Sequence, residues 1–256
     1  ALPDDIEAMQ QVVSVARMLA RYDDAIATLK RLAQLQPGRE REYFTQIAEL
    51  EMALYNDDQA IAYVQKALEK SPNDAKTQER LAEIYEKKED FTKAIDAYKK
   101  AIELDPKEFR VYFALAKLHL RRGQREDAAL LYRDVLRRAT DEEIVDTTAR
   151  KAIDLEEYLG SLGELEKHVG PLVFLHANKP VYRRVLVEIY DRYVPPLVAR
   201  AGHGDLSARA ELIRLGERGL KPLLEALVDH GVPRQKSAAL RLLGHLGNKN
   251  AARPLV

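Results

Sequence analysis

The residues best suited to metal chemistry are the histidines, of which the chain has six. Glu164 and His168 are four residues apart, so one helical face could present both side chains to a metal ion. No second pair of this kind accompanies them, and no HExxH sequence occurs. We interpret the two residues as a surface pair and predict neither a metal nor a cofactor.

Signals for nucleophilic or phosphate-handling chemistry are missing as well. The chain has no cysteine, which excludes thiolate catalysis, disulfides and cysteine-type zinc sites. None of the serines stands in a G-x-S-x-G elbow, and neither a P-loop nor a G-x-G-x-x-G sequence is present. We therefore predict that the protein is not an enzyme.

Two cations offer a different chemistry, the binding of an anion. Lys76 and Arg80 are four residues apart, so both could reach one anionic group from the same helical face. The plainer interpretation is that they are ordinary surface charges paired with Glu79 or Glu83.

The stretch 75–108 must position these cations, and its sequence predicts two amphipathic helices. Apolar residues recur at helical spacing on both sides of a turn at Lys88, Glu89 and Asp90. Pro106 ends the second helix, because it has no backbone N–H and restricts the residue before it. Neither helix can bury its apolar stripe alone, so the pair needs neighbours of the same shape.

Residues 75–108 resemble a tetratricopeptide repeat, a helix–turn–helix unit of 34 residues. The positions that carry the resemblance are Ala82, Tyr85, Ala94, Tyr98, Ala101 and Pro106. The resemblance extends over 1–142 as four units, at about 6–40, 41–74, 75–108 and 109–142. We assign the repeat aromatics Tyr85, Tyr98 and Tyr132 to the core. His119 stands at an aromatic position of the fourth unit, which predicts packing at the edge of the core.

The pattern changes after these units. Residues 143–177 predict a degenerate fifth pair that acts as an adaptor, and Pro171 should kink or shorten its second helix. Residues 178–256 resemble HEAT-like repeats, another α-solenoid family. Their Pro-Leu-apolar motifs, expected near helix starts, lie at 194–198, 220–224 and 252–256, and two further segments, 207–216 and 238–247, align with each other. The sequence thus predicts an all-α superhelical solenoid in which tetratricopeptide repeats continue into HEAT-like repeats. We expect the HEAT-like part to be truncated at its C-terminus.

The tetratricopeptide resemblance implies a concave groove lined by the first helix of each pair. The candidate peptide-binding residues on these helices are Gln10, Ser14, Gln46, Glu49, Met52, Lys76, Arg80, Glu83, Arg110, Phe113 and Lys117. Such a mixed lining suits an extended peptide, a C-terminal tail or a partner helix. Relatives that hold a C-terminal carboxylate use Lys and Arg where Lys76 and Arg80 stand. The Lys and Asn of their first unit are replaced here by Gln10 and Ser14, and the Asn of their second unit by Gln46.

Charge composition bears on the class of partner. The 41 basic residues equal the 41 acidic residues, which argues against a dedicated nucleic-acid binder. Residues 1–108 are acidic overall and the remainder is basic. We predict a non-catalytic scaffold that binds a protein partner. Two alternatives stay open: nucleic-acid binding by the basic HEAT-like part, and a docking or regulatory arm of a larger enzyme or assembly.

Membrane insertion and location complete these expectations. No run of 18 apolar residues occurs, so no membrane span is predicted. The expected location is the cytoplasm, with a periplasmic or secreted location left open, and the sequence does not settle the oligomeric state.

Overall fold

The computed structural model describes residues 5–216, 240–242 and 244, and all regular secondary structure in this part is helical. The helices are α1 (Ile6–Met18), α2 (Tyr22–Leu35), α3 (Glu40–Ala53), α4 (Asp57–Lys70), α5 (Ala75–Lys87), α6 (Phe91–Leu104), α7 (Phe109–Arg121), α8 (Arg125–Arg138), α9 (Glu142–Leu159), α10 (Leu162–Leu175) and α11 (Pro180–Gly202). Residues 206–216 are helical too. The all-α class predicted from the sequence is confirmed. No helix in the described ranges is long and apolar enough to cross a membrane.

Alanines at repeated positions explain how closely the paired helices approach. The alanines that the repeat pattern places at its small-residue positions are at most 1 % exposed: Ala25, Ala48, Ala60, Ala67, Ala82, Ala94, Ala101, Ala116 and Ala128. A methyl group at each position lets two helix backbones pack side by side, whereas a larger side chain would force them apart.

The turn inside each predicted unit has one residue in the left-handed conformation, always at the same place. These residues are Ala20, Tyr55, Glu89 and Gly123, with φ angles of 56°, 61°, 61° and 76°. Only the last is the glycine that this conformation favours. The other three turns therefore keep a backbone strain that the packing of the flanking helices must offset.

Acidic residues begin several of the helices. The carboxylates of Asp5, Asp74 and Asp141 each accept hydrogen bonds from two backbone N–H groups of the first turn that follows. Asp90 accepts one such bond, from the N–H of Lys93. These caps satisfy donors that have no partner inside the helix.

Residue contacts divide the chain into two compact units, 1–118 and 119–256. In the first unit, each helix from α1 to α5 packs on the next helix in the chain. Tyr98 is 2 % exposed, as its assignment to the core predicted, while Tyr85 is only half-buried beneath the ammonium of Lys93.

In the second unit, α9 packs on α8, and α10 and α11 pack on α9 and on each other. Its core contains charge as well as apolar side chains. The Nε and Nη2 atoms of Arg133 lie 2.5 and 2.8 Å from the two carboxylate oxygens of Glu156, which is fully buried. The Tyr190 hydroxyl donates to Glu166 Oε1 over 3.1 Å, and both residues are fully buried. This core depends on paired polar groups.

Prolines within helices are where the sequence-based expectation is wrong. The motif at 194–198 was expected near a helix start, but Pro195 and Pro196 lie inside α11. Both prolines are exposed, so water can reach the backbone groups that they leave unpaired, while Val194 and Leu197 are buried and hold the helix in place. In α10 the helix continues through the exposed Pro171, so it is not shortened there, while the kink expected as the other possibility stays a prediction.

The remaining HEAT-like motifs, at 220–224, at 252–256 and over most of 238–247, lie outside the described residues. HEAT-like repeats therefore stay a prediction for 178–256.

Candidate peptide-binding face

A chain of ion pairs joins the first helices of successive pairs. Glu49 on α3 lies between two arginines: its Oε2 is 3.4 Å from Arg17 Nη2 on α1, and its Oε1 is 2.8 Å from Arg80 Nη2 on α5. Arg80 also lies 3.7 Å from Glu83. These side chains therefore share one continuous face across three helices.

A second ion pair extends this face to α7. Arg110 Nη2 is 2.9 Å from Glu79 Oε2, and the Glu79 side chain is only 8 % exposed. Burial raises the pKa of Glu79, and the positive charge of Arg110 opposes this effect in part. Glu79 was not among the candidate residues. The sequence around Glu79 gives no signal that this residue is more buried than the glutamates beside it.

The structure places the candidate residues at two levels of burial. Those with exposed side chains are Gln10, Ser14, Lys76, Arg110 and Lys117, and those that are half-buried are Gln46, Glu49, Met52, Arg80, Glu83 and Phe113. The ion pairs bring Glu49, Arg80 and Glu83 together. Met52 and Phe113 are the apolar candidates, and both are half-buried.

The pairing of Arg80 and the exposure of Lys76 bear on both interpretations of these cations. Arg80 is paired with Glu83, as the plainer interpretation expects, and more closely with Glu49. The Lys76 side chain is exposed. An anionic ligand would therefore meet Lys76 directly but would have to exchange with carboxylates at Arg80.

The last turn of α5 is tied to the preceding pair. The Lys87 ammonium lies 2.9 Å from Asp57 Oδ1, donates to the carbonyl oxygen of Met52 over 3.3 Å, and stands 4.7 Å from the centre of the Tyr55 ring. These contacts hold α5 against both helices of the preceding pair, so the face has a fixed geometry at this point.

Two of the histidines, His119 and His168, have structural partners. His119 is 5 % exposed and its Nδ1 lies 3.1 Å from Gln124 Oε1, which confirms the predicted packing at the edge of the core. His168 Nε2 lies 2.9 Å from the Arg133 carbonyl oxygen, whereas Glu164 pairs with Lys167 over 2.6 Å. Burial lowers the pKa of His168. The described residues include no group of three His, Asp or Glu side chains placed to hold a metal ion.

The basic residues of the HEAT-like part are described only in part. Arg209 donates to the carbonyl oxygen of Ala201, Arg214 pairs with Glu211, and Arg241 pairs with Asp191. Six further basic residues of this part lie outside the described residues: Arg218, Lys221, Arg234, Lys236, Lys249 and Arg253.

Comparisons with known proteins support the repeat assignment. A family profile described as TPR repeat matches residues 84–123, and one described as tetratricopeptide repeat matches residues 111–145. This part of the chain therefore contains tetratricopeptide repeats, as its resemblance predicted. No match was found among the curated proteins.

Solved structures show the same fold at low identity. The chain is similar to a tetratricopeptide repeat protein from Parabacteroides merdae, with 14 % identity, 95 % of this chain and 99 % of that chain covered, and a TM-score of 0.51. It is also similar to the structure of Naa15/Naa10 bound to HypK-THB, with 17 % identity and a TM-score of 0.52. The match covers 96 % of this chain and 35 % of that chain. These likenesses confirm the α-solenoid class. The chain is also similar to MamA, with 23 % identity and a TM-score of 0.47. The match covers 54 % of this chain and 80 % of that chain.

Proposed function

We propose that this protein is a non-catalytic scaffold that binds a segment of another protein on the face formed by α1, α3, α5 and α7. The observation that carries the proposal is the run of ion pairs from Arg17 through Glu49 to Arg80, which continues from Glu79 to Arg110. These contacts join side chains on the first helices of successive repeats, which supports the proposal. A partner segment lying along this face would contact all of them.

The energetics of the face suit reversible binding. Arg17, Glu49 and Arg80 keep 30 to 41 % of their side-chain surface exposed, so the two ion pairs of Glu49 contribute little to folding and can be exchanged. Met52 and Phe113 offer half-buried apolar surface, where a partner's side chain would gain most from burial. Charge would select the partner, and the apolar contacts would supply affinity.

The proposed ligand is an extended segment with an acidic residue or a C-terminal carboxylate near α5. Lys76 and Arg80 lie one helical turn apart and would contact that group together, with Glu49 and Glu83 moving away from Arg80. The segment's other charges would pair with residues such as Lys117 and Arg110 further along the face.

The test is affinity capture from a lysate with the whole chain and two quadruple variants. The face variant replaces Glu49, Lys76, Arg80 and Lys117 with alanine. The control replaces Lys99, Lys100, Glu103 and Lys107, which carry the same charges and are exposed on or just after α6. We expect specific partners to be lost from the face variant alone, with both variants folded by circular dichroism. Capture of the same partners by both variants would refute the proposal.

A further inference from the structure

Helix α1 is apolar on two of its faces, and only one of them is covered. One face carries Met9, Val13 and Ala16, which pack in the core of the first pairs. The other carries Ala8, Val12, Val15 and Leu19, spaced one or two helical turns apart. Val12, Val15 and Leu19 are 51 %, 53 % and 63 % exposed. A helix with two apolar faces is typical of a helix that is buried on both sides.

The uncovered stripe borders an open cleft between α1 and α2, which we name the end cleft. Its volume is about 680 Å³, and Val12, Val15, Leu19 and Ala27 contribute much of its lining. Charge at its edge is balanced, since Arg21 Nη2 lies 2.6 Å from Asp24 Oδ2. The end cleft is therefore an apolar surface with no net charge around it.

The repeats themselves show what covers this surface elsewhere. The residues 35 positions after Ala8, Val12 and Val15 are Tyr43, Ile47 and Leu50 on α3, and they are 2 %, 0 % and 3 % exposed. They are buried in one cluster with Ile26, Leu29 and Leu32 of α2, the second helix of the preceding pair.

The next repeats also bury the equivalent positions. The equivalent residues on α5 are Thr77, Leu81 and Ile84, at most 8 % exposed, and α4 packs on this helix. On α7 they are Val111, Leu115 and Leu118, at most 2 % exposed. Within the described residues, α1 alone among these first helices leaves these positions open.

We propose that the end cleft binds an amphipathic α-helix of a partner protein, which lies on α1 as α2 lies on α3. The repeats point to a helix, because the equivalent surfaces on α3 and α5 each pack on the second helix of the preceding pair. The bound helix should resemble α2, whose contact stripe is Ile26, Leu29, Leu32 and Ala33. A suitable partner helix therefore carries Leu, Ile and Ala at helical spacing and needs no particular charge. This site is separate from the ion-paired face and does not depend on its function.

The probe for this site is a helix-stabilised peptide with the sequence of residues 21–36, which span α2. Its binding to the full chain would be followed by fluorescence anisotropy. We expect saturable binding that weakens by about tenfold or more when Val12 and Val15 are both changed to Asp, because each change buries a charge in the contact. A peptide with Leu29→Asp and Leu32→Asp should not bind.

The protein control is Met18→Asp, which introduces one negative charge on α1 where the double variant introduces two, at a residue that is 83 % exposed and lies outside the end cleft. It should leave peptide affinity unchanged. Because Val12 and Val15 are already half-exposed, the double variant should remain folded, which circular dichroism checks.

Two results would overturn the inference. One is a peptide that does not bind, or that binds the double variant as well as the unchanged chain. The other is a chain that self-associates in light scattering and becomes monomeric when Val12 and Val15 are changed, because a second copy would then occupy the cleft.

Discussion

Glu49 Oε1 lies 2.8 Å from Arg80 Nη2, although 31 residues separate the two in the chain. The same carboxylate also faces Arg17 from the other side. Glu49 therefore occupies the place between two guanidinium groups that an acidic ligand would take. The chain already contains an internal competitor for such a ligand.

Because Glu49 pairs with Arg80, changing these two residues should have opposite effects on the binding of an acidic partner. Glu49→Gln should strengthen binding of an acidic partner captured by the face, because Arg17 and Arg80 become available to it, while Arg80→Ala should weaken it. Each change should alter the free energy of unfolding by only about 0.5 kcal/mol, since the pair is partly exposed. Titration calorimetry and urea unfolding measure the two effects. Changes in affinity of the same sign in both variants would contradict the prediction.

Asp74 combines a helix cap with an ion pair, which makes its contribution dependent on pH. It accepts hydrogen bonds from the Lys76 and Thr77 N–H groups and the Thr77 hydroxyl, over 3.1, 3.3 and 3.0 Å, and pairs with Arg41. Burial alone would raise its pKa, but the hydrogen bonds from Thr77 and Arg41 outweigh burial and lower the pKa of Asp74.

Asp74→Ala should therefore destabilise the protein by about 1 kcal/mol or more at neutral pH. Because the folded pKa lies below the unfolded one, this contribution is complete above about pH 4 to 5 and is lost as the pH falls through the folded pKa. Urea unfolding of the unchanged chain and of Asp74→Ala, from pH 7 down to pH 3, should show that the difference between their free energies of unfolding shrinks. Asp74→Asn keeps a capping oxygen without the charge and should cost less. A difference that grows on acidification would contradict this account.

Changing one residue of the buried Arg133–Glu156 pair should destabilise the protein more than changing both. Arg133→Met leaves a fully buried carboxylate without its cation and should destabilise the protein by roughly 3–5 kcal/mol. Adding Glu156→Leu should recover much of this loss, because an apolar pair needs no desolvated charge. Chemical unfolding of the two single variants and the double variant forms the cycle. Additive costs would show that the two residues act independently.

The equivalent turns at Gly123 and Ala20 predict opposite effects on stability when glycine and alanine are exchanged. Gly123 has φ 76°, and a Cβ there would meet nothing within 4 Å, so Gly123→Ala tests backbone strain alone. We expect a loss of about 0.5–1 kcal/mol. Ala20→Gly, in the equivalent turn with φ 56°, should gain a similar amount. Thermal unfolding measures both, and a destabilising Ala20→Gly would show that this turn is not strained.

The part of the fold that follows from local periodicity could be predicted. The alanine spacing gave the register of the packed positions, and the buried alanines lie where that spacing placed them. The Pro-Leu-apolar motif at 194–198 was misleading, because a proline at a helix start and an exposed proline inside a long helix look alike in sequence. Only the packing of Val194 and Leu197 separates the two cases.

The sequence by itself determined that the chain is helical, that residues 84–145 have the spacing of tetratricopeptide repeats, and which side chains share a helix face, because these properties depend on local patterns of residues. Only the tertiary structure decided that Glu49 pairs with Arg17 and Arg80, that Glu79 is buried beside Arg110, and that the stripe of Val12 and Val15 is left open. Such contacts join residues about 30 positions apart. Their geometry depends on how one helix pair packs against the next, which no local spacing encodes.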